Sequence, residues 1–284
     1  MAKLFDTEAR VVPTWLAACR YLNAQKKRQG RNLLLEITNP LTITASDRDV
    51  MAKVDTALAH CNLTLKTVAG TIFPLALYKQ FGRPGYYEKY KEMLKRGKAD
   101  NTWGTYAHRM IERPGREPGT TINPLDYLVW KLSNQPTKAD GRISSFTATY
   151  ELSVADPEAD LQAQPESEPE WQCDLQFEPV EGDVPTYNPA LDMKEWLGLP
   201  CLSHLSFKRV QKGSAYAVDL TAIYRSHHYC ARALGNLLGL AQLLSFVAKE
   251  SGLDVGTLSC LSTHAELDVG KWDGVGVANV VLAE

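Results

Sequence analysis

A chain of 284 residues, 44% hydrophobic and 23% charged, has enough apolar material for a sizeable core, as one large domain or two small ones. Its formal net charge of −2 gives no broad attraction for nucleic acid or an anionic membrane, and direct binding to either is not expected; a small anion held by a few arginines fits it. Residues 1–15 lack the apolar run of a secretory signal, and the six cysteines are scattered without CxxC spacing. The expectation is a cytoplasmic protein with neither a zinc site nor a disulfide framework.

In chain order, residues 12–28 read as a helix, with Trp15, Leu16, Cys19 and Leu22 on one face and a basic end. Residues 32–37 read as a strand stopped by Asn39-Pro40. Ser46 or Asp47 could cap a helix over 50–60. Residues 67–81 form an apolar helical segment kinked or started by Pro74, and 86–96 a charged surface helix bearing tyrosines. Asn123-Pro124 opens a helix to Leu132, and the alternation over 142–154 predicts a strand. Residues 143–193 contain no Lys or Arg, and 155–193 read as an acidic insertion loop.

Beyond it, 205–210 and 215–224 flank Gln211-Lys212-Gly213-Ser214 as an antiparallel hairpin. Residues 232–249 are apolar nearly all round, the mark of a helix central to the core, and Ser251-Gly252 ends it. The apolar run from Ala233 to Ala248 is interrupted by Asn236 and Gln242 and is short for a membrane span. Residues 258–261 and 275–282 read as late strands. The sum is α+β: one domain over 1–284, with a mixed sheet, helical cover and one central buried helix.

The chemistry concentrates near that helix. Pro200-Cys201-Leu202-Ser203-His204 precedes the hairpin, Tyr224-Arg225-Ser226 ends it, Asn236 lies ten residues after the serine, and Thr263-His264 follows a strand. Arginines grip phosphates, and a carboxamide complements a uracil edge, which offers one donor beside two acceptors. A thiolate is the best nucleophile for the C6 carbon of a pyrimidine, and imidazoles and carboxylates relay protons. His227-His228 invites a metal reading, but adjacent residues on one element point apart, so no metal site is expected.

This order and spacing resemble thymidylate synthase and its pyrimidine-hydroxymethylase relatives. That family's pattern is Pro-Cys-His, a hairpin, Arg-Ser, an Asn ten residues after the Ser, a long helix, an acidic-Val-Gly turn and a late His. Arg225, Ser226, Asn236 and Asp254-Val255-Gly256 keep that register, and the likeness is strong over 199–267. It implies a thymidylate-synthase-like fold, a two-fold homodimer, and a pyrimidine nucleotide as partner. Arg225, Ser226 and Arg142 would hold the phosphate, Asn236 and His228 the base, and His264 the sugar. It also implies Cys201 as nucleophile, His204 and Glu266 in proton handling, and a reduced folate, methylenetetrahydrofolate, as one-carbon donor.

The departures are specific. Cys201 and His204 are not adjacent, so either Cys201 or Ser203 occupies the nucleophile's position. His228 stands where the family has Asp, and Glu266 where it has Tyr. No carboxylate lies near Ala69-Gly70, and the chain ends twenty residues after His264, where the family continues and closes over folate. Two readings stay open: an enzyme moving a one-carbon unit to C5, or a non-catalytic nucleotide sensor or scaffold of the same fold.

Overall fold

The computed structural model describes residues 2–96, 105–136, 148–155 and 200–283. Arg142 and the acidic stretch beyond Ala155 lie outside the described residues, as do residues 142–147 of the strand expected over 142–154. The N-terminal part holds β1 (Lys3–Leu4), α1 (Val11–Asn23), β2 (Gln29–Ile37), α2 (Ala45–Leu58) and α3 (Leu65–Gly70). Then come α4 (Leu75–Arg96), α5 (Tyr106–Ile111), the short pair β3 (Arg113–Pro114) and β4 (Thr121–Ile122), α6 (Pro124–Ser133) and β5 (Glu151–Ser153). The C-terminal part is β6 (Leu202–Lys212), β7 (Ala215–Tyr224), β8 (His227–His228), α7 (Leu234–Ser251), β9 (Asp254–Glu266) and α8 (Val275–Leu282).

The described strands form a mixed sheet ordered β1-β2-β9-β7-β6-β5, with β8 also paired to β9. The β6–β7 hairpin turns at Gly213, whose φ of 63° suits a residue without Cβ. Strand β9 runs parallel to β7 and antiparallel to β2, so the segment carrying His264 is central to the sheet.

Strand alternation sorts the sheet into two faces. Leu33, Leu35, Leu205, Phe207, Leu220, Ala222, Leu258 and Cys260 are fully buried on the helical side. Glu36, Ser206, Lys208, Thr221, Ile223 and Ser259 stand half-exposed on the other. The helical side is organised by α7, which has twelve buried residues and contacts α1, α3 and α6. Helix α7 with its preceding turn is long and apolar enough to cross a membrane, but 78% of that window is buried within the fold, as expected of a core helix. It meets α3 closely: a Cβ on Gly235 would stand 2.6 Å from Val68 Cβ, and one on Gly239 2.7 Å from the Ala69 carbonyl oxygen.

Local chemistry explains the helix ends. Thr44 caps α2 in a reciprocal box with Asp47, whose carboxyl the Thr44 amide and hydroxyl and the Arg10 guanidinium hold below the usual range against the opposing effect of burial. Asn123 caps α6 with Pro124 in its first turn, and Gly252 ends α7 in the left-handed region.

Three expectations are corrected. Residues 275–282 form α8 rather than a strand: Ala278, Val281 and Leu282 are buried at helical spacing, and the element docks on α1 and α2. The helix bearing Tyr86, Tyr87 and Tyr90 is not a surface element, since all three rings are buried and Tyr86 packs against Phe73, Tyr78 and Phe246. The apolar segment over 67–81 divides into α3 and α4, with the break before Leu75.

Candidate functional site

At the end of β7 the chain leaves the sheet for two residues and rejoins it three positions on. Tyr224 pairs with Ser262, and His227 with Ala265. The excursion is Arg225-Ser226. Thr263 pins it, its hydroxyl donating to the carbonyls of Arg225 (2.9 Å) and Tyr224 (3.3 Å). The Arg225 amide donates to the Cys201 carbonyl at 2.8 Å. Its guanidinium donates to the Pro200 carbonyl through Nε at 3.1 Å and Nη2 at 2.5 Å. The segment before β6 is thereby clasped to the segment after β7.

Cys201 is half-buried in this clasp, and its amide donates to the Tyr106 hydroxyl of α5 at 3.2 Å. Burial pushes the Cys201 thiol up; the Tyr106 hydroxyl and the Arg225 and Arg232 guanidinium groups pull it the other way without overcoming burial. Ser203 lies at an irregularity in the β6–β7 register, and its hydroxyl donates to the Ile223 carbonyl at 3.0 Å.

Behind the clasp is a buried polar chain that the sequence reading did not anticipate. His227 is 1% exposed, stacked flat on Tyr224 with ring centroids 4.0 Å and planes 3° apart. Its Nδ1 lies 2.9 Å from Ser262 Oγ, which also lies 3.2 Å from the Tyr229 hydroxyl. Its Nε2 lies 3.2 Å from Nδ2 of Asn236, itself 4% exposed. Burial, with a smaller contribution from His228, lowers the His227 pKa to about 3, so the ring is neutral. The signal was available: if adjacent histidines point apart, one of the pair faces the core.

The turn between His227 and α7 is a π-helical one, Tyr229–Ala233. Trp15 Nε1 donates to the Tyr229 carbonyl at 3.0 Å, and the Cys230 amide donates to Asp268 Oδ1 at 2.8 Å. The second of these bonds occupies a backbone N–H of the kind that a helix start leaves without an intrahelical partner. Asp268 is held above the usual carboxylate range by burial, against hydrogen bonds from the Cys230 and Ala231 amides and the field of His228.

The remaining expected residues fall in other places. His228 approaches Asp268 at 4.0 Å and is the register partner of Glu266 across β8–β9. His264, half-buried, pairs with Arg31 across β2–β9. His204 stands on the half-exposed face of the sheet, where its Nε2 lies 2.8 Å from Glu151. The same carboxylate accepts from the Ser206 hydroxyl at 3.0 Å and from Lys208, and these three partners hold it below its usual range despite burial. Arg225, Cys201 and Tyr106 are thus brought together. Asn236 is joined to His227, and His204 to Glu151. Among the described residues, no group of three or more His, Cys, Asp or Glu is arranged to hold a metal ion.

Comparison with known proteins gives this geometry a context. The chain is 33% identical over 92 residues to a protein of Methanococcoides burtonii named "Putative thymidylate synthase". It is 33% identical over 90 residues to the protein of that name in Methanosarcina barkeri, and 34% over 91 residues to the one in Methanosarcina mazei. It is a divergent, partial match to thymidylate synthases. Each alignment takes in 32% of this chain, and the chain spans only 38–39% of the length of these curated relatives. No family model matches it.

Proposed function

We propose that the protein binds a pyrimidine nucleoside monophosphate, deoxyuridylate-like, where the Arg225-Ser226 excursion meets Cys201 and the start of α7. In this reading it transfers a one-carbon unit to C5 of the base. The observation that carries the reading is the clasp, in which the Arg225 guanidinium, the Cys201 thiol and the Tyr106 hydroxyl, from three separate stretches of the chain, share one corner. Arg225 and Ser226 would take the phosphate, with Arg142 as a further cation. Asn236 and His228 would meet the base, and His264 the sugar.

Chemically, the Cys201 thiolate would add to C6, placing negative charge on C5 and O4, and C5 would attack an activated one-carbon donor, the new C5–carbon bond forming as the donor's own bond to that carbon breaks and its leaving group keeps the electron pair. Loss of the C5 proton would then expel the thiolate, with His204 and Glu266 as the candidate groups for proton handling. A buried thiol needs a partner to ionise, and the Arg225 and Arg232 guanidinium groups are the cations whose field favours its thiolate. A reduced folate would need an aromatic surface for its pterin and a carboxylate for its ring nitrogens. The described groups acting on Cys201 are a phenol and two guanidinium groups, with no carboxylate among them, so that set alone does not fit a pterin. Two copies would pair through the half-exposed sheet face, whose Thr221, Ile223 and Ser259 suit sheet-on-sheet contact.

Cys201→Ala tests the chemistry: turnover of a uridylate substrate should vanish while calorimetric affinity for the nucleotide stays within about threefold. Surviving turnover would refute the covalent route. The alternative, a nucleotide sensor of the same fold, is favoured by the raised Cys201 thiol and by the engagement of Arg225 with Pro200. Nucleotide binding with no turnover in the unmodified protein would select it.

A further inference from the structure

Uracil and cytosine differ at N3: uracil carries a hydrogen there and cytosine a lone pair. A carboxamide can serve either base, presenting its oxygen to the first or its NH2 to the second, after a half-turn about its last bond. In this protein Asn236 is not free to turn. Its Nδ2 faces His227 Nε2 at 3.2 Å, and the other ring nitrogen faces Ser262 Oγ at 2.9 Å. The ring is held flat against Tyr224, and Tyr229 meets the same serine oxygen.

A neutral imidazole has one N–H. With that hydrogen on Nδ1, donating to Ser262, Nε2 is a lone pair that accepts from Asn236 Nδ2 and turns Oδ1 away from His227. The opposite carboxamide orientation requires the proton on Nε2 and the Ser262 hydroxyl reversed, so three groups must change together.

We propose that His227 is a positioning residue that sets base selectivity: by holding the Asn236 oxygen toward the ligand, it makes the site accept uracil and reject cytosine. This rests on the pyrimidine-nucleotide reading above. A cytosine would bring the N3 lone pair against a carboxamide oxygen in a buried place, an acceptor facing an acceptor. Discrimination at a site built around one donor–acceptor pair should reach about tenfold or more.

The test titrates the full chain calorimetrically with dUMP and dCMP, and reads the His227 tautomer by nitrogen-15 NMR of histidine-labelled protein. The expected results are an Nδ1–H imidazole and an affinity for dUMP at least about tenfold above that for dCMP. His227→Phe keeps the ring on Tyr224 and removes both nitrogens; Ser262→Ala removes the hydroxyl that fixes the proton. Each should bring the dUMP-to-dCMP ratio toward one while dUMP still binds. An Nε2–H tautomer, equal affinities in the unmodified protein, or an undiminished ratio in both variants would overturn the inference and leave the nucleotide reading standing. No binding of either nucleotide by the unmodified protein would overturn both. If His227→Phe does not fold, the tautomer and Ser262→Ala decide.

Discussion

Acid should destabilise this protein through His227 before its carboxylates titrate. The imidazole has an ordinary value of 6.5 and is lowered to about 3 in the fold by burial and by His228. Above about pH 7 it is neutral in both states and contributes no pH dependence. Below its ordinary value the unfolded chain takes up a proton that the folded chain refuses, so stability falls with falling pH until the folded value is reached. Proton linkage between about pH 7.5 and pH 5 gives a loss of about 2 kcal/mol from this side chain alone. Moving the folded value by one unit changes that figure by less than about 0.1 kcal/mol, because the ring stays neutral in the fold across the range.

The groups against the ring are Tyr224, Tyr229, Ser262, Asn236 and His228, and none is a carboxylate that could rescue the charged form. His227→Gln retains a donor and an acceptor for Ser262 and Asn236 and cannot take the proton. Urea unfolding followed by tryptophan fluorescence should show the variant weaker at about pH 7.5, with the gap narrowing by about 2 kcal/mol at about pH 5. Asp47, Glu112 and Glu151, all held below their usual range, should give a further acid loss below about pH 4 that both proteins share. Parallel pH dependence in the two proteins down to about pH 5 would refute the buried, neutral assignment.

Gly239→Ala should destabilise by about 1–2 kcal/mol, because overpacking against the Ala69 carbonyl outweighs the better helix propensity of alanine; thermal unfolding would read it. Asn123→Ala should cost about 1 kcal/mol through loss of the bond from the Asp126 amide, measured the same way. If copies pair through the half-exposed sheet face, Ile223→Lys should convert a dimer to a monomer in analytical ultracentrifugation, and an unchanged dimer would exclude that face.

The parts of the fold that were legible in the sequence are those whose signals are local. Gly213 between two alternating runs marks the hairpin, Asn123-Pro124 marks the start of α6, and Gly252 marks the end of α7; all three lie where the sequence puts them. Residues 275–282 misled because their valines favour strands, while the decision came from the apolar surface of α1 and α2 waiting at helical spacing. Tyr86 and Tyr90 misled because Glu88 and Lys89 between them suggest a solvated face, although the rings are buried at helical spacing. At the candidate site, the spacing of Arg225, Ser226 and Asn236 was visible. That Arg225 is clasped to Pro200, and Asn236 to His227, was not, since both depend on where β7, β8 and β9 pair.

In the proposed function Arg225 and Asn236 serve one mononucleotide site. Calorimetric titration of the full chain with dUMP, repeated for Arg225→Ala and Asn236→Ala, tests it most directly. Saturable one-to-one binding, weakened about tenfold or more by each substitution, is the predicted result. Affinity undisturbed by both substitutions, or no binding at all, would contradict it.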